Sequence, residues 1–586
     1  MKLEDLGLIG NCQFAALIHG CGDVVWCCWP RFDSDPVFGQ LLDPEGGRFG
    51  IGPADATTGH QQYRDNTNVL ETTFTGPDGR FRVIDFAPRF ERHGRMYRPT
   101  QLIRIIEPLD GSPMIRVHCD PVLGWSKARP AVTSGSNHLR FAGPADLRLT
   151  TDLPLSYLDG RAFALTVRHY LALTWDAPIE EELPALCEDM LQQTTRHWRQ
   201  WVKHCDIPPR YQHEVIRSAL ALKLHCFEDT GAIVASITTS LPEAAGSGRT
   251  WDYRYCWLRD AYYVIDAFRL LGHFEEREAF VTYALNTAGT RDEMALAPLY
   301  TVSGDAPPPE RFEPGWAGFR GDGPVRVGNE AASQIQHDVF GELVLALAPI
   351  FHDERFRAER TPATLDLIFR LADRAIAVAG TPDRGIWEFR RESTPQTFSN
   401  LMCWAAADRA AAIAELHAPD RAAGFRAAAD RLRHALATRA WSERRGSYVG
   451  TFDGEDLDAS LLQMAPLRVF PANDPKLRQT VDAIWSGLTH NSWLMRYRDD
   501  DGLGATTVAF LICTFWLIEA LVLIDRQDDA RALMDQTVGI QSPLGLLAEN
   551  FDMGTRLLSG NFPQAYSHVG LIRAAFAASP RWRDIL

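Results

Sequence analysis

From residue 210 onward, apolar residues recur at three- and four-residue spacing in segment after segment. The pattern holds over Tyr211–Phe227, Asp260–Leu271, Glu275–Ala288, Ala331–Phe351, Ala363–Val378, Asn400–Leu416, Arg421–Ala437, Lys476–Leu488, Thr507–Leu523, Asp528–Val538 and Ala565–Ala578. That period marks helices with one buried face, and it predicts about eleven or twelve of them. A ring of six helix pairs, an (α/α)6 toroidal barrel, is the natural closed arrangement for such a number. A solenoid would satisfy the periodicity equally, but no 30–45-residue self-similarity runs through the chain.

The first 179 residues have a different texture. Val69–Phe74 and Phe81–Phe86 flank Gly76-Pro77-Asp78-Gly79, a hairpin signal. Leu102–Ile106 and Met114–Cys119 flank Pro108-Leu109-Asp110-Gly111 in the same manner, and Phe163–Leu173 reads as one long strand. Short strands at this spacing predict an antiparallel β-sandwich. Residues 180–209 read as a polar connecting helix closed by Pro208-Pro209. The expected organisation is therefore a multidomain β + α chain: a sandwich at 1–179, a linker helix at 180–209 and a helical barrel at 210–586. A chain of 586 residues needs such a division, because single cores stop growing near ~250–300 residues.

Charge and composition narrow the function classes. Sixty Lys and Arg against 75 Asp and Glu give a net charge of −15, without the basic footprint of a nucleic-acid binder. The segment Met1–Gly7 has neither the basic nor the apolar region of a secretory signal. No apolar run reaches the ~18 residues of a membrane span; Val508–Ile524, broken by Thr514 and Glu519, reads as a buried helix. Eleven scattered cysteines with no CxxC pair read as free thiols in a reducing compartment. No HExxH or Cys/His quartet is present. The expectation is a cytoplasmic protein with no metal and no cofactor, and no nucleic-acid or membrane partner; oligomeric state is left open, a homo-oligomer included.

Three segments gather acids outside the helical stripes, the first two beside Arg and Trp. They are Thr250–Asp260 (TWDYRYCWLRD), Asp383–Arg390 (DRGIWEFR), and Leu546–Asp552 (LLAENFD) followed by Gly560–His568. Carboxylates beside indoles suit glycoside hydrolysis, in which one carboxyl must keep a proton and a second must ionise. Arg–Asp pairs can fork hydrogen bonds onto sugar hydroxyls. The plainer alternative is that Arg259–Asp260 and Arg254–Asp252 are ion pairs at a helix start, with Trp387 in the core.

The ordered set of motifs resembles glycoside hydrolase family 15, the glucoamylase-like group that includes bacterial and archaeal trehalases. It runs from Ile9-Gly10-Asn11-Cys12 and Trp29–Ser34 through Gly231–Ala235, Thr239–Glu243 and WDYRYCWLRDA. It continues through Gln336–Glu342, GIWE, Met402-Cys403-Trp404, Arg496-Tyr497, AENFD and NFPQAYSH, nearly the whole chain. The resemblance implies a sandwich, a linker helix and an (α/α)6 catalytic barrel, and an inverting exo-acting reaction that releases β-glucose from a non-reducing α-linked end. It makes Glu388 the general acid and Glu549 the general base. It places Arg259 and Asp260 on the hydroxyls of the glucose to be released, with Tyr253, Trp257, Trp387 and Arg496 lining the same pocket. An inverting pair implies carboxyls roughly 6.5–9.5 Å apart.

Two departures fall on the leaving-group side. Fungal glucoamylases carry a second Glu after the acid, where this chain has Phe389; many bacterial relatives carry a Glu before a Gly-Ala-Phe, where this chain has Ala505–Phe510. The substrate expected is a small α-linked glucoside. The readings carried forward are an exo-α-glucosidase, an α,α-trehalase, a disaccharide phosphorylase and a sugar-binding regulator without chemistry. Gly246–Thr250 lacks the Lys and preceding strand of a phosphate loop and reads as a turn. His337 and His568 read as satisfied pocket-wall or core histidines. The segment Ala306–Gly323, with Pro307-Pro308-Pro309 and Trp316, reads equally as a lid or a long surface loop.

Overall fold

The computed structural model describes residues 1–585 apart from 56, 144–145, 289–295, 499–500 and 503–506. The N-terminal part is two antiparallel sheets. One, of seven strands, runs Leu6–Gly10, Ala15–His19, Asp23–Cys28, Arg48–Pro53, Met114–Asp120 and Phe163–Ala164, with Pro36–Phe38 added beside Asp23–Cys28. The other, of eight, runs Val132–Ser134, His138–Phe141, Leu147–Thr151, His169–Trp175, Gln101–Gly111, Gly79–Phe86, Leu70–Gly76 and His60–Tyr63. The Gly76–Gly79 hairpin forms as its sequence predicts, with Gly76 opposite Gly79.

Two expectations fail here, for one reason. Gln101–Gly111 and Met114–Asp120 do not pair with each other, and Phe163–Leu173 is not one strand. In both places the chain steps from one sheet to the other. Pro113, which has no N–H for a ladder, stands at the first step; its carbonyl accepts from Leu165 at the second. Val167 lies exposed between the two separate strands. Fully buried Arg104 ties the sheets together, pairing with Asp85 and donating to the carbonyls of Gly22 and Phe49 across the sandwich.

Helix α1 (Leu183–Lys203) covers the outer face of the larger sheet. Cys187, Met190 and Leu191 bury against Ile84, Phe86, Ile103 and Ile105. Trp198 and Trp201 are buried, and Trp201 stacks on His273 of the helical part at 4.1 Å.

The remaining helices are α2 (Gln212–Lys223), α3 (Leu258–Leu270), α4 (Glu275–Ala288), α5 (Asp338–Leu347), α6 (Pro362–Val378), α7 (Thr397–His417) and α8 (Pro419–Arg439). They continue with α9 (Ala459–Leu467, its first five residues a 3-10 turn), α10 (Pro475–Leu488), α11 (Leu511–Leu523), α12 (Gln527–Val538) and α13 (Ala565–Ala578). Helices α3, α5, α7, α9, α11 and α13 each pack on the next, and α13 returns to α3, which closes the ring. The six others back this ring from outside. Burial follows the arrangement: all ten residues of α5 are buried, whereas outer α8 buries only Phe425, Ala428, Ala429 and Leu436.

Sequence periodicity misses α9, because nine residues are too few to show a 3.6-residue repeat beside a loop. It also overextends α5: Ala331–Phe351 is a 3-10 turn, a loop through Gln336, the helix and a second 3-10 turn. Chain order makes every outer-to-inner connection arrive at the N-terminal end of an inner helix. Three of those six loops, α2–α3, α6–α7 and α12–α13, carry the acid-bearing motifs.

All eleven cysteines are free thiols. Among the described residues, no helix is long and apolar enough to cross a membrane.

Candidate active site

Five of the six outer-to-inner loops, all but α8–α9, line a cavity of two joined compartments. The inner one, about 510 Å³, is lined by all eight site residues expected from sequence: Tyr253, Trp257, Arg259, Asp260, Trp387, Glu388, Arg496 and Glu549. The outer one, about 470 Å³, shares Tyr253, Trp387, Glu388 and Arg496 and adds Glu243, Arg249, Trp251, Gln334, Arg390 and Asp501. Glu388 thus stands in the wall common to both.

Glu388 lies in the α6–α7 connection and has a left-handed backbone, with φ of 59°. Such a conformation costs about 1–3 kcal/mol at a non-glycine residue and persists only where surroundings fix it. Here they do. Its amide donates to Gly385, and its Oε1 accepts from Trp257 Nε1 at 2.7 Å and Arg259 Nη2 at 3.1 Å. Arg259 in turn donates to Gln336 at 2.9 Å and Asp338 at 3.0 Å, both at the start of α5.

Asp260, in the first turn of α3, is buried and lines the inner compartment. Burial pushes its carboxyl up to about 7, opposed by Arg259 and reinforced by Glu388. Trp387 is held by its indole N–H, which reaches both oxygens of Asp458 at 2.9 Å. Burial raises Asp458 to about 6, against donors from Ser460 and Trp387.

Glu549 opens the short strand pair Asn550–Asp552 and Leu557–Ser559. It is almost fully buried. Tyr253 donates to its Oε1 at 2.8 Å and Asn550 to its Oε2 at 3.1 Å. Burial, then the neighbouring negative charge of Glu243, pushes its carboxyl up to about 8; Arg496, Tyr253 and Asn550 pull the other way. Gly560 is required beside it: a Cβ there would stand 2.7 Å from Glu549 Oε2, at a backbone φ of +77°.

Several residues here escape sequence reasoning. Glu243 lies in a quoted motif without a role; Arg249 belongs to the turn at 246–250; Asp458 and Asp501 sit in stretches without aromatic partners. Arg249 holds both oxygens of Asp501 at 2.6 and 2.7 Å, and Tyr497 donates to the same carboxylate at 2.6 Å. Arg254 pairs with buried Asp252 at 2.7 Å and donates to Ser34 of the sandwich, so this pair is structural. Phe389 is buried against Tyr497 and lines neither compartment. Of Ala505–Phe510, residues 505–506 lie outside the described residues. Loop 306–323 is docked on the sandwich: Trp316 donates to Trp125, and Lys127 to Gly315. His568 is a core histidine bonded to Ser218 and Leu547.

Comparison with known proteins agrees with this architecture. The family model described as glycosyl hydrolases family 15 matches residues 209–576, and one described as trehalase-like, N-terminal matches residues 1–150. A trehalase of Mycolicibacterium smegmatis is 32% identical over 610 aligned positions, covering 98% of this chain and 90% of the relative. A trehalase of Thermoplasma volcanium is 33% identical, covering 98% and 93%. A bacterial glucoamylase solved with acarbose shares the fold with a TM-score of 0.70 at 15% identity, covering 98% of this chain and 94% of that one.

Proposed function

The chain belongs to glycosyl hydrolase family 15 and is a glycoside hydrolase, and on that premise we propose that it is an inverting α-glucosidase acting on α,α-trehalose. The observation that carries the choice of substrate is the position of Glu388 between two compartments of similar size. That layout suits two sugar rings joined at one bond beside the acid. Full-length relatives named trehalases support the same choice over a general glucoamylase.

The chemistry follows from how the two carboxyls are held. Glu388 gives its proton to the glycosidic oxygen as the C1–O bond breaks. Trp257 and Arg259 then stabilise the carboxylate left behind, through bonds that strengthen as charge develops. Glu549 takes a proton from water as that water adds to C1 on the face away from the leaving sugar. Tyr253 and Asn550 orient this base. Arg259 and Asp260 grip hydroxyls of the inner glucose. The inner sugar leaves as β-glucose, and the leaving sugar retains its α configuration.

Incubation with trehalose, maltose, isomaltose, kojibiose and soluble starch, with glucose measured after each, tests the substrate. Glucose is expected from trehalose far ahead of the others. Faster release from maltose or starch would return the assignment to a glucoamylase.

A further inference from the structure

Glu243 is a buried carboxylate to which the chemistry above gives no task. Its Oε2 meets Arg496 Nη2 at 2.6 Å, its Oε1 accepts from Trp251 at 2.9 Å, and Arg249 approaches at 3.7 Å. The segment that carries it is bonded to the strand pair bearing Glu549: Ser559 donates to the Glu243 carbonyl at 2.7 Å, and Gly560 to Pro242 at 2.9 Å. Arg496 faces both carboxylates. One cation therefore serves two acids, and its hydrogen bond goes to Glu243.

We propose that Glu243 is a positioning residue of the hydrolysis: it holds Arg496 on itself and adds a like charge beside Glu549, and so sets the pH at which the base becomes available. The inference rests on the assignment of Glu549 as base. Other charges face Glu549 as well. From the segment before α3 comes Tyr253, and from its first turn Arg259 and Asp260; from the α6–α7 connection, Glu388; from α13, Tyr566. Arg249 and Asp501 pair with each other behind Glu243, and Tyr497 donates to Asp501. Of all these, Glu243 is the one whose removal alters Glu549 twice in the same direction. Repulsion falls, and Arg496 is released toward the base.

The test uses α-glucosyl fluoride, whose fluoride leaves with little help from an acid, so the acid limb of kcat/KM reports the base irrespective of the natural leaving sugar. In Glu243→Gln, which removes the charge and leaves Arg496 only a weaker, neutral acceptor, the limb is expected to move to lower pH by about one unit, the scale of a single nearby charge. Arg496→Gln, which leaves two like charges facing each other, should move it to higher pH. Unmoved limbs with only a lower plateau, or both variants shifting in one direction, would overturn the proposal. A wild-type enzyme that fails to hydrolyse the fluoride would instead overturn the α-glucosidase reading on which it rests.

Discussion

The indole N–H of Trp257 meets Oε1 of Glu388 at 2.7 Å, from the residue immediately before helix α3. Arg259 binds the same oxygen from the second residue of that helix, so both donors gather on one side of the carboxyl. Oε2 is then the oxygen available to carry the proton. Trp257→Phe keeps the ring but removes the donor. Loss of a hydrogen bond to a developing charge, about 1.5–3 kcal/mol, predicts a fall in kcat of roughly 10- to 100-fold with little change in KM. Steady-state kinetics on trehalose checks this; a change confined to KM would speak against it.

The roles of the two glutamates separate by leaving group. Glu388→Gln and Glu549→Gln should each lower trehalose turnover by about 10²–10⁴-fold or more while remaining folded. On α-glucosyl fluoride, Glu388→Gln should recover much of its rate and Glu549→Gln should not. Equal recovery of both would contradict the assignment.

Glu549 also links stability to pH. Its folded carboxyl is raised to about 8 by burial and Glu243, so the folded state holds this proton where the unfolded chain has lost it. That contribution to stability is lost as pH rises from the ordinary carboxylate range near ~4 through the folded value. Glu549→Gln removes the loss. The Tm of the variant minus that of the parent should therefore increase between pH 5 and pH 8. A difference independent of pH would rule out the raised value.

Much of the fold is legible because long helices announce themselves through periodicity, and the motif residues because acids beside tryptophans are unusual in loops. What escapes is set by distance along the chain. Asp338 becomes Arg259's partner only when α5 packs on α3, and Glu243 reaches Arg496 across 253 residues. The change of sheet near Val167 is hidden because alternation persists across it, and the one near Pro113 because the Pro-Leu-Asp-Gly turn signal reads as a hairpin. Short α9 completes the ring without a periodic signature of its own.

The sandwich and barrel are joined by buried polar contacts, and one predicts a measurable loss of stability. Arg89, fully buried, holds both oxygens of Glu228 at 2.9 and 2.5 Å and the carbonyl of Asn11 at 3.1 Å. Arg89→Ala leaves Glu228 short of a cation at this junction. Glu228 keeps Lys223 at 2.6 Å and Arg98 at 3.3 Å, so the expected cost is that of lost hydrogen bonds to a charged group, about 1.5–3 kcal/mol, which a shifted denaturation midpoint would report. A shift within error would mean the junction tolerates the loss.

The most direct test is proton NMR of trehalose hydrolysis, read before mutarotation. Inversion at the inner sugar with retention of the leaving one predicts α- and β-glucose appearing together in equal amounts. Early product that is α-glucose alone, or no glucose from trehalose at all, would contradict the account.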